Sequence, residues 1–373
     1  MSDTREPVAI PQRGQLPQLD GLRGVAIVLV LIGHITQFSL HRFETVGNFL
    51  AQLGVLLFFV LSGFLITSII TAEKTNRGTV DLKNFYWRRI LRLAPAFLVF
   101  MSAVYCLMSK GWIPQIPRYE IAACLLYVRN IVGRSEAVAH LWSLSLEEQF
   151  YTLWPPIVKF VESTKLIWIA ILLTVGMSVW RGVAIALHLF DYNLGIYYIR
   201  PYFRFDSILI GCCLALLLNR VKAGGHGFGT ALTSTPLWMV WVLVLAWTLV
   251  GDSLAHPIYI SVQMLCVTWL VFRIVTGSRF YWLTSPPFRF MGKISYSLYL
   301  WQQILIVSVY PMWRLVHAFP MNLILCFLLA TVSYFGIERP FLRIKDRGKG
   351  SRNRASTLES GVVPALNSSA VGK

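Results

Sequence analysis

The sequence predicts an all-α integral membrane protein with about ten transmembrane helices. Hydrophobic residues make up 56% of its 373 positions and charged residues only 14%, whereas soluble proteins carry about 25% charged residues. Apolar stretches of the kind that cross a bilayer core of about 30 Å recur along the chain. Basic residues cluster between those stretches, so the net charge of +17 reports membrane topology rather than nucleic-acid binding.

Ten apolar stretches are assigned as membrane spans, and together they form one membrane domain over residues 19–340. The mixed segment 110–139 contains an apolar run too short to cross a bilayer, so it is predicted to be a loop with a helical piece. Residues 1–18 and the basic residues 341–373 are predicted to be disordered cytoplasmic ends. The predicted spans are 19–40, 47–71, 89–109, 140–161, 166–187, 201–219, 236–250, 257–275, 291–311 and 321–338.

The distribution of Lys and Arg predicts the orientation of these spans. With the N-terminus in the cytoplasm, 25 of the 34 Lys and Arg residues lie on the cytoplasmic side, eight outside, and Arg181 within a span. An eleventh span at 119–131 would move the basic tail outside, which argues against it. We therefore expect a multi-pass protein of the inner (plasma) membrane with both termini in the cytoplasm.

The first span carries ionisable residues, which mark functional sites by default when they lie within a membrane helix. Asp20 and Arg23 stand at its start, and His34 follows Arg23 by 11 residues, about three helical turns. Arg23 and His34 therefore project from nearly one face, about 16 Å apart. This placement predicts a basic group at one mouth of a cavity and an imidazole near its floor. His34 is a candidate general base, with helix–helix hydrogen bonding as the alternative.

Two arginines stand one helical turn apart at the start of the third span. Arg89 and Arg92 share a helix face, and the planar guanidinium group binds phosphate through paired hydrogen bonds. Such a pair facing a cavity suits a polyphosphate ligand such as coenzyme A. Spacing alone favours the alternative, in which these arginines anchor the helix at lipid headgroups.

The fourth span contains two adjacent glutamates, which are costly in a membrane unless they have partners. Glu147 is four residues from both Ser143 and Tyr151, so the three share a polar face. That face could approach His34, where Glu147 or Glu148 would orient the imidazole. The alternative is a structural polar contact between helices.

Three further features have both a functional and a structural interpretation. In the sixth span, Arg204 and Asp206 either pair with each other, which is favoured, or line a substrate entry. The segment 295–303, with Tyr299, supplies hydroxyls and rings that suit sugars but equally ordinary packing. His140 is predicted to lie at the membrane interface. The six cysteines lack metal-ligand spacing, so no metal site is expected.

Taken together, these stretches resemble the membrane acyltransferase-3 family, integral membrane O-acyltransferases of bacteria and eukaryotes. Each piece alone is a weak signal, but the ordered set from 19 to 340 is specific. The matching pieces are LDGLRGVAIVLVLIGH (19–34), FFVLSGFLIT (58–67), FYWRRILRLAPAF (85–97), HLWSLSLEEQFYTLWP (140–155), RFDSILIG (204–211), ISYSLYLW (294–301) and ERP (338–340).

The resemblance implies an enzyme with ten core helices around a central acyl-transfer cavity. It would move an acyl group other than aminoacyl, often acetyl from acetyl-CoA, to a hydroxyl of a surface or secreted glycan or glycolipid. Acyl-CoA is then the donor substrate, and no permanently bound cofactor is expected. The expected partners are acyl-CoA, the carbohydrate acceptor and the lipid bilayer, without nucleic acid. The roles carried over by motif are a catalytic His34 and CoA contacts at Arg23, Arg89 and Arg92.

In the expected mechanism, Glu147 or Glu148 holds the imidazole of His34, and Trp142 or Ser143 stabilises the oxyanion. Many relatives have a histidine directly after YLW, where this chain has Gln302. Relatives with an added C-terminal hydrolase-like domain also differ, and we expect no second, periplasmic catalytic partner here. The rival function is a carbohydrate or lipid transporter, although no inverted repeat is evident. The remaining predicted substrate-supporting residues are Tyr151, Arg204, Asp206 and Tyr299.

Overall fold

The computed structural model describes residues 17–40, 43–190, 199–222, 256–277, 280–307, 310 and 314–344. Across these residues the chain is helical and contains no β-strand, which confirms the all-α prediction. The predicted disordered ends lie outside the described residues except for their helical edges, at 17–18 and 341–344. The predicted span at 236–250 also lies outside the described residues.

Twelve α-helices are defined in the described part of the chain. Short π-helical turns extend three of them, at Ile35–Ser39 after α1, Gln303–Val307 after α10 and Tyr334–Glu338 after α12. The helices are α1 Pro17–His34, α2 Glu44–Arg77, α3 Leu82–Ser109, α4 Arg118–Leu125, α5 Leu141–Phe160, α6 Ser163–Ala186, α7 Pro201–Arg204, α8 Asp206–Lys222, α9 His256–Val275, α10 Pro286–Gln302, α11 Arg314–His317 and α12 Met321–Ser333.

Five of the described helical segments are long and apolar enough to cross a membrane. Four further predicted spans are also helical, as α5, α8, α9 and α10, but these helices are shorter or more polar. The chain is therefore a helical membrane protein, while the total of ten spans stays a prediction. The five segments are Pro17–Ser39, Glu44–Arg77, Leu82–Ser109, Ser163–Ala186 and Met321–Ile344.

Helices α1 and α10 pack with their backbones in close contact. A Cβ built on Gly24 would lie 2.1 Å from the carbonyl oxygen of Phe288, and one on Gly292 would lie 1.9 Å from that of Asp20. Small residues permit this approach in membrane helices because they bring no side chain to the interface. The glycines of the LDGLRG motif thus allow close helix packing, and they fix the position of α1 along its axis relative to α10.

Helix α2 packs against α1 on one side and α8 on the other. A Cβ on Gly63 would lie 1.9 Å from the carbonyl oxygen of Ile208, and one on Gly211 would lie 2.1 Å from that of Val60. The sequence pieces LSGF and ILIG therefore form a second close contact between helices. This double packing holds α2 in the middle of the bundle, where it becomes one wall of the cavity described below.

The segment between α3 and α5 contains the predicted helical piece, α4, and then folds down along α5. The side-chain amides of Asn130 and Gln149 form two hydrogen bonds, of 3.1 and 2.9 Å, and Gln149 also donates to the carbonyl of Tyr127 at 2.8 Å. Gln149 lies eight residues beyond Leu141, about 12 Å along the helix axis. Non-helical backbone at such depth is tolerated when protein groups satisfy it.

Two buried charges hold this segment together. Arg129 donates to the carbonyl oxygens of Gly133 at 2.6 Å and Ser135 at 3.1 Å. The carboxylate of Glu120 accepts from the backbone N–H groups of Arg134 at 3.0 Å and Ser135 at 2.8 Å. Burial alone would raise the pKa of Glu120, but these N–H groups hold it below its usual value. These hydrogen bonds therefore order the loop between α4 and α5.

Candidate functional site

A cavity lies between α1, α2, α3, α5 and α10, and its volume is about 880 Å³ when the solvent space at its open mouth is included. Its walls differ in chemistry. Helix α2 contributes apolar side chains from Val55 to Ile69, interrupted by Ser62. The two end positions are 14 residues apart, which is about 21 Å along the helix. The other four helices contribute arginines, hydroxyl groups and one glutamate, together with the two apolar residues Leu93 and Leu144.

The structure brings the three predicted arginines together on this cavity. Arg23 comes from α1, and Arg89 and Arg92 come from α3. Because α3 places its two arginines one turn apart, both reach the same cavity, as their spacing predicts. A concentration of guanidinium groups in a concave site suits an anionic ligand, and phosphate in particular. Their role in binding coenzyme A stays a prediction.

Arg89 is committed to contacts within the protein. Its Nε donates to both carboxylate oxygens of Glu148 at 2.9 Å, and Nη2 also contacts Glu148. A carboxylate oxygen of Glu147 lies 3.9 Å from Nη2, and the guanidinium carbon lies 3.2 Å from the centre of the Tyr151 ring. The Arg89 side chain is only 14% exposed. These contacts fix its orientation and balance its charge.

His34 has a different partner from the one predicted. Its Nδ1 lies 2.6 Å from Oε1 of Gln302, whereas Glu148 is turned toward Arg89. Glu147 lines the cavity on the Arg89 side, and none of the described hydrogen bonds joins either glutamate to the imidazole. The prediction that a glutamate holds His34 is therefore wrong in this structure. The physical reason is that the desolvated guanidinium of Arg89 needs a carboxylate more than a neutral imidazole does.

His34 stands beside the cavity rather than in its wall. It is half-buried at the last residue of α1, with Phe38 edge-on at 6.0 Å between ring centres. Tyr299, one helical turn before Gln302 on α10, does line the cavity. The imidazole is therefore about one turn beyond the hydroxyl-bearing end of the cavity.

Ser143 and Tyr299 form the hydroxyl-bearing end. The Tyr299 hydroxyl donates to the carbonyl oxygen of His140 at 2.6 Å and contacts the Ser143 hydroxyl. The ring of His140 is 4% exposed and packs near Phe100, with 5.4 Å between ring centres. Neither of its nitrogens has a hydrogen-bond partner in the described part of the chain. His140 is thus buried among protein groups, and its position at the depth of the membrane interface stays a prediction.

The two residues predicted to donate a hydrogen bond to the oxyanion differ in where their side chains lie. Ser143 lines the cavity, whereas Trp142 is not among the lining residues and packs edge-on against Phe59, with ring centres 5.9 Å apart. Tyr151 lines the cavity beneath Arg89. Of the two candidates, Ser143 is the one whose hydroxyl faces the space where a ligand would lie.

Asp206 pairs with Arg181, not with Arg204 as predicted. Nη1 of Arg181 donates to Oδ2 of Asp206 at 2.6 Å, and both side chains are fully buried. The Ser178 hydroxyl donates to the same carboxylate at 3.0 Å. The Arg204 guanidinium lies 5.7 Å from the centre of the Phe59 ring, and neither Arg204 nor Asp206 lines the cavity.

Three residues that the structure brings to the site were not predicted individually as site residues. Gln302 contacts His34, and Ser62 and Tyr296 line the cavity. Two signals pointed to Gln302: it stands where many relatives have a histidine, and it is one of two adjacent glutamines inside an otherwise apolar run. Ser62 and Tyr296 are common residues in membrane helices and gave no such signal.

Comparisons with known proteins identify relatives of this chain. A family model described as an acyltransferase domain matches residues 16–337. Two relatives named O-acetyltransferase OatA, from Staphylococcus aureus strains NCTC 8325 and COL, are each 31% identical over 351 residues. Each comparison covers 87% of this chain and 57% of the relative, so the chain spans a little over half the length of those proteins. No solved structure matches the chain significantly.

Proposed function

We propose that this chain, which belongs to the acyltransferase-3 family of membrane acyltransferases, moves an acyl group from acyl-CoA to a hydroxyl of a glycan or glycolipid. One observation carries this proposal. Arginines, an apolar wall and hydroxyl groups line a single cavity, beside which an imidazole lies. Acyl-CoA presents the matching series of phosphates, an extended arm and a thioester. The name of the relatives supports acetyl as the acyl group.

The donor would bind with its phosphates at the arginines. Arg23 and Arg92 extend the positive charge of the cavity beyond Arg89, whose charge Glu148 already balances. Phosphate groups bind arginine through paired hydrogen bonds, which gives orientation as well as affinity. Under the predicted topology, the start of α1 and the start of α3 face the cytoplasm, where acyl-CoA is found.

The arm of the donor would follow α2. The apolar wall from Val55 to Ile69 is about 21 Å long, which suits an extended chain between the phosphates and the thioester. Ser62 is a polar group within this wall and could bond an amide of the arm. The thioester would then lie near Ser143 and Tyr299, within reach of His34.

The reaction needs one general base and one hydrogen-bond donor that stabilises the oxyanion. Nε2 of His34 would take the proton from the acceptor hydroxyl while its oxygen attacks the thioester carbonyl. The hydroxyl of Ser143 would stabilise the negative charge on the carbonyl oxygen, because the proton of the Tyr299 hydroxyl is already donated to the carbonyl oxygen of His140. When the carbon–sulfur bond breaks, the thiolate leaves and takes the proton from the imidazolium. The products are the O-acylated acceptor and free CoA, and His34 returns to its neutral form.

The proposal is tested with membranes that contain the protein, labelled acetyl-CoA and candidate glycans. His34→Ala should lower labelled product by at least about 10²-fold, because general-base catalysis contributes on the order of 10²–10⁴. The matched control is His188→Ala, since His188 is an exposed histidine that lies away from the cavity. Both variants should insert into membranes at the wild-type level.

Two results would count against the proposal. Normal acetylation by His34→Ala would remove the histidine from the mechanism. Movement of a glycan across the membrane without release of free CoA would favour a transporter instead.

A further inference from the structure

Gln302 is a fully buried glutamine with one described hydrogen bond, which it makes to His34. Its Oε1 lies 2.6 Å from Nδ1 of the imidazole, and its Nε2 has no hydrogen-bond partner among the described residues. A buried amide nitrogen without a partner destabilises the fold, because its lost hydration is not replaced. Folding stability therefore does not explain why a glutamine stands here rather than an apolar residue of the same size.

The adjacent residue, Gln303, has a different structural role. Gln303 is also buried, and its Nε2 donates to the carbonyl oxygen of Glu136 at 2.6 Å. This bond ties α10 to the loop before α5. Two neighbouring glutamines thus have comparable burial, but only Gln302 contacts the imidazole.

The backbone holds Gln302 and His34 in register. Gly24 and Gly292 lie at one close contact between α1 and α10, and His34 and Gln302 meet ten residues further along both helices. The two helices therefore run parallel with a constant offset. Each side chain also stands directly before a π-helical turn, and such turns occur often at functional sites.

The chemistry of the amide oxygen decides the state of the ring. A carbonyl oxygen only accepts hydrogen bonds, so Nδ1 of His34 must carry the proton when it bonds Oε1. The lone pair of a neutral imidazole then lies on Nε2. We propose that Gln302 is a positioning residue that holds His34 in the tautomer with a basic Nε2, ready to accept the proton of the acceptor hydroxyl. This rests on the proposed function.

The opposite amide orientation makes a different prediction. If the amide nitrogen of Gln302 donated to Nδ1, the proton would lie on Nε2, and that nitrogen could not act as a base. An ionised carboxylate at this position can only accept, so Gln302→Glu enforces the proposed arrangement. Gln302→Met keeps the size of the side chain and removes the acceptor.

The test measures acetyl transfer and acetyl-CoA dependence for three variants. Gln302→Met should lower kcat by about 10²-fold, the lower end of the contribution of a general base, with KM for acetyl-CoA within about twofold of wild type. Gln302→Glu should recover most of that loss. Gln303→Met loses a buried hydrogen bond of its own, so it should lower thermal stability and leave kcat unchanged.

Several outcomes would overturn the inference. A wild-type kcat for Gln302→Met, or an equal fall of kcat for Gln303→Met, would show that Gln302 has no special role. A Gln302→Glu variant as slow as Gln302→Met would show that the accepting oxygen is not what matters.

The His34→Ala background separates this inference from the proposed function. There, Gln302→Met should cause no further loss, because the residue acts only through the imidazole. Full activity of His34→Ala would refute the proposed base itself. An inactive His34→Ala together with a fully active Gln302→Met would refute the positioning role alone.

Discussion

Arg89 and Arg92 stand one helical turn apart, yet their surroundings give them different tasks. Arg89 bonds both oxygens of Glu148 and stacks on the Tyr151 ring with little exposure. Its charge is therefore balanced inside the protein. Arg92 lines the same cavity, as does Arg23. We infer that Arg89 chiefly holds the helices together, whereas Arg92, which interacts electrostatically with the buried Glu338, also binds the anionic ligand.

Replacing each arginine by alanine should separate these tasks. Arg89→Ala leaves Glu148 in a buried position without its partner, and breaking such a pair costs about 3–5 kcal/mol. Its thermal unfolding midpoint in detergent should fall clearly. Arg92→Ala should lower the midpoint less than Arg89→Ala, because Glu338 near Arg92 keeps its hydrogen bond to Ser297. It should raise KM for acetyl-CoA by about 10- to 100-fold, because a hydrogen bond to a charged group contributes about 1.5–3 kcal/mol.

A double variant gives the control for this pair. Arg89→Met with Glu148→Met replaces both charges by apolar side chains, which is often neutral for stability. It should regain much of the midpoint lost in Arg89→Ala. If Arg89→Ala instead kept the wild-type midpoint and only raised KM, Arg89 would be a ligand contact and its structural role would be wrong.

Single residues also show how far spacing can predict a site. Ionisable groups in apolar spans are conspicuous in the sequence, so Arg23 and Arg89 could be identified and do meet at one cavity. Their partners could not be identified, because a partner depends on which helices are neighbours. Arg204 and Asp206 are two residues apart and do not face each other on a helix. The partner of Asp206, Arg181, lies on α6 and is distant in sequence.

At the scale of helices, the contact between α1 and α10 sets the geometry of the site. It fixes the offset at which His34 meets Gln302. Arg23 stands on the same helix, about 16 Å from His34. The position of α1 along its axis therefore sets the positions of both Arg23 and His34. A change at the glycine contact should therefore act on activity without touching a functional side chain.

Gly292→Ala tests this dependence. Its Cβ would meet the carbonyl oxygen of Asp20 at 1.9 Å, so the two helices must move apart. Overpacking of this kind costs about 1–3 kcal/mol, and we expect a lower unfolding midpoint together with a lower kcat. Gly176→Ala on α6 is the control, because nothing lies within 4 Å of that Cβ. Gly176→Ala should be neutral or gain up to about 1 kcal/mol from helix propensity.

If Gly292→Ala retained wild-type kcat and stability, the contact between α1 and α10 would not set the geometry of the site. Equal losses in Gly292→Ala and Gly176→Ala would also contradict it, because the effect would then belong to the loss of glycine in general. Purified protein in one detergent allows both quantities to be compared directly.

Hydropathy predicts where helices lie, but it does not predict how loops pack between them. The apolar spans and the short helical piece at 118–125 were predictable from pattern and length. The path of the following loop along α5 was not, because it depends on contacts such as that between Asn130 and Gln149. Polar residues of this kind look the same in sequence whether they face water or one another.

At the scale of the whole molecule, the order of motifs from 19 to 340 was sufficient to predict the family, which the match over residues 16–337 confirms. The cavity could not be predicted in shape, since five helices from distant parts of the chain enclose it. Arg23 and His34 lie about 16 Å apart along α1, so a donor and an acceptor are expected to arrive from opposite faces of the membrane.

Sealed vesicles of known orientation test this arrangement. With the cytoplasmic face outward, added labelled acetyl-CoA should be consumed, because the arginine end of the cavity is predicted to open to that face. With the opposite face outward, the intact membrane should block the charged donor, and permeabilising the vesicles should restore transfer. Arg92→Ala vesicles provide the matched control. After permeabilisation, they should need more acetyl-CoA than wild-type vesicles of the same orientation. Equal use of external acetyl-CoA by both sealed orientations would contradict the predicted topology, because the donor would then reach its site from either face.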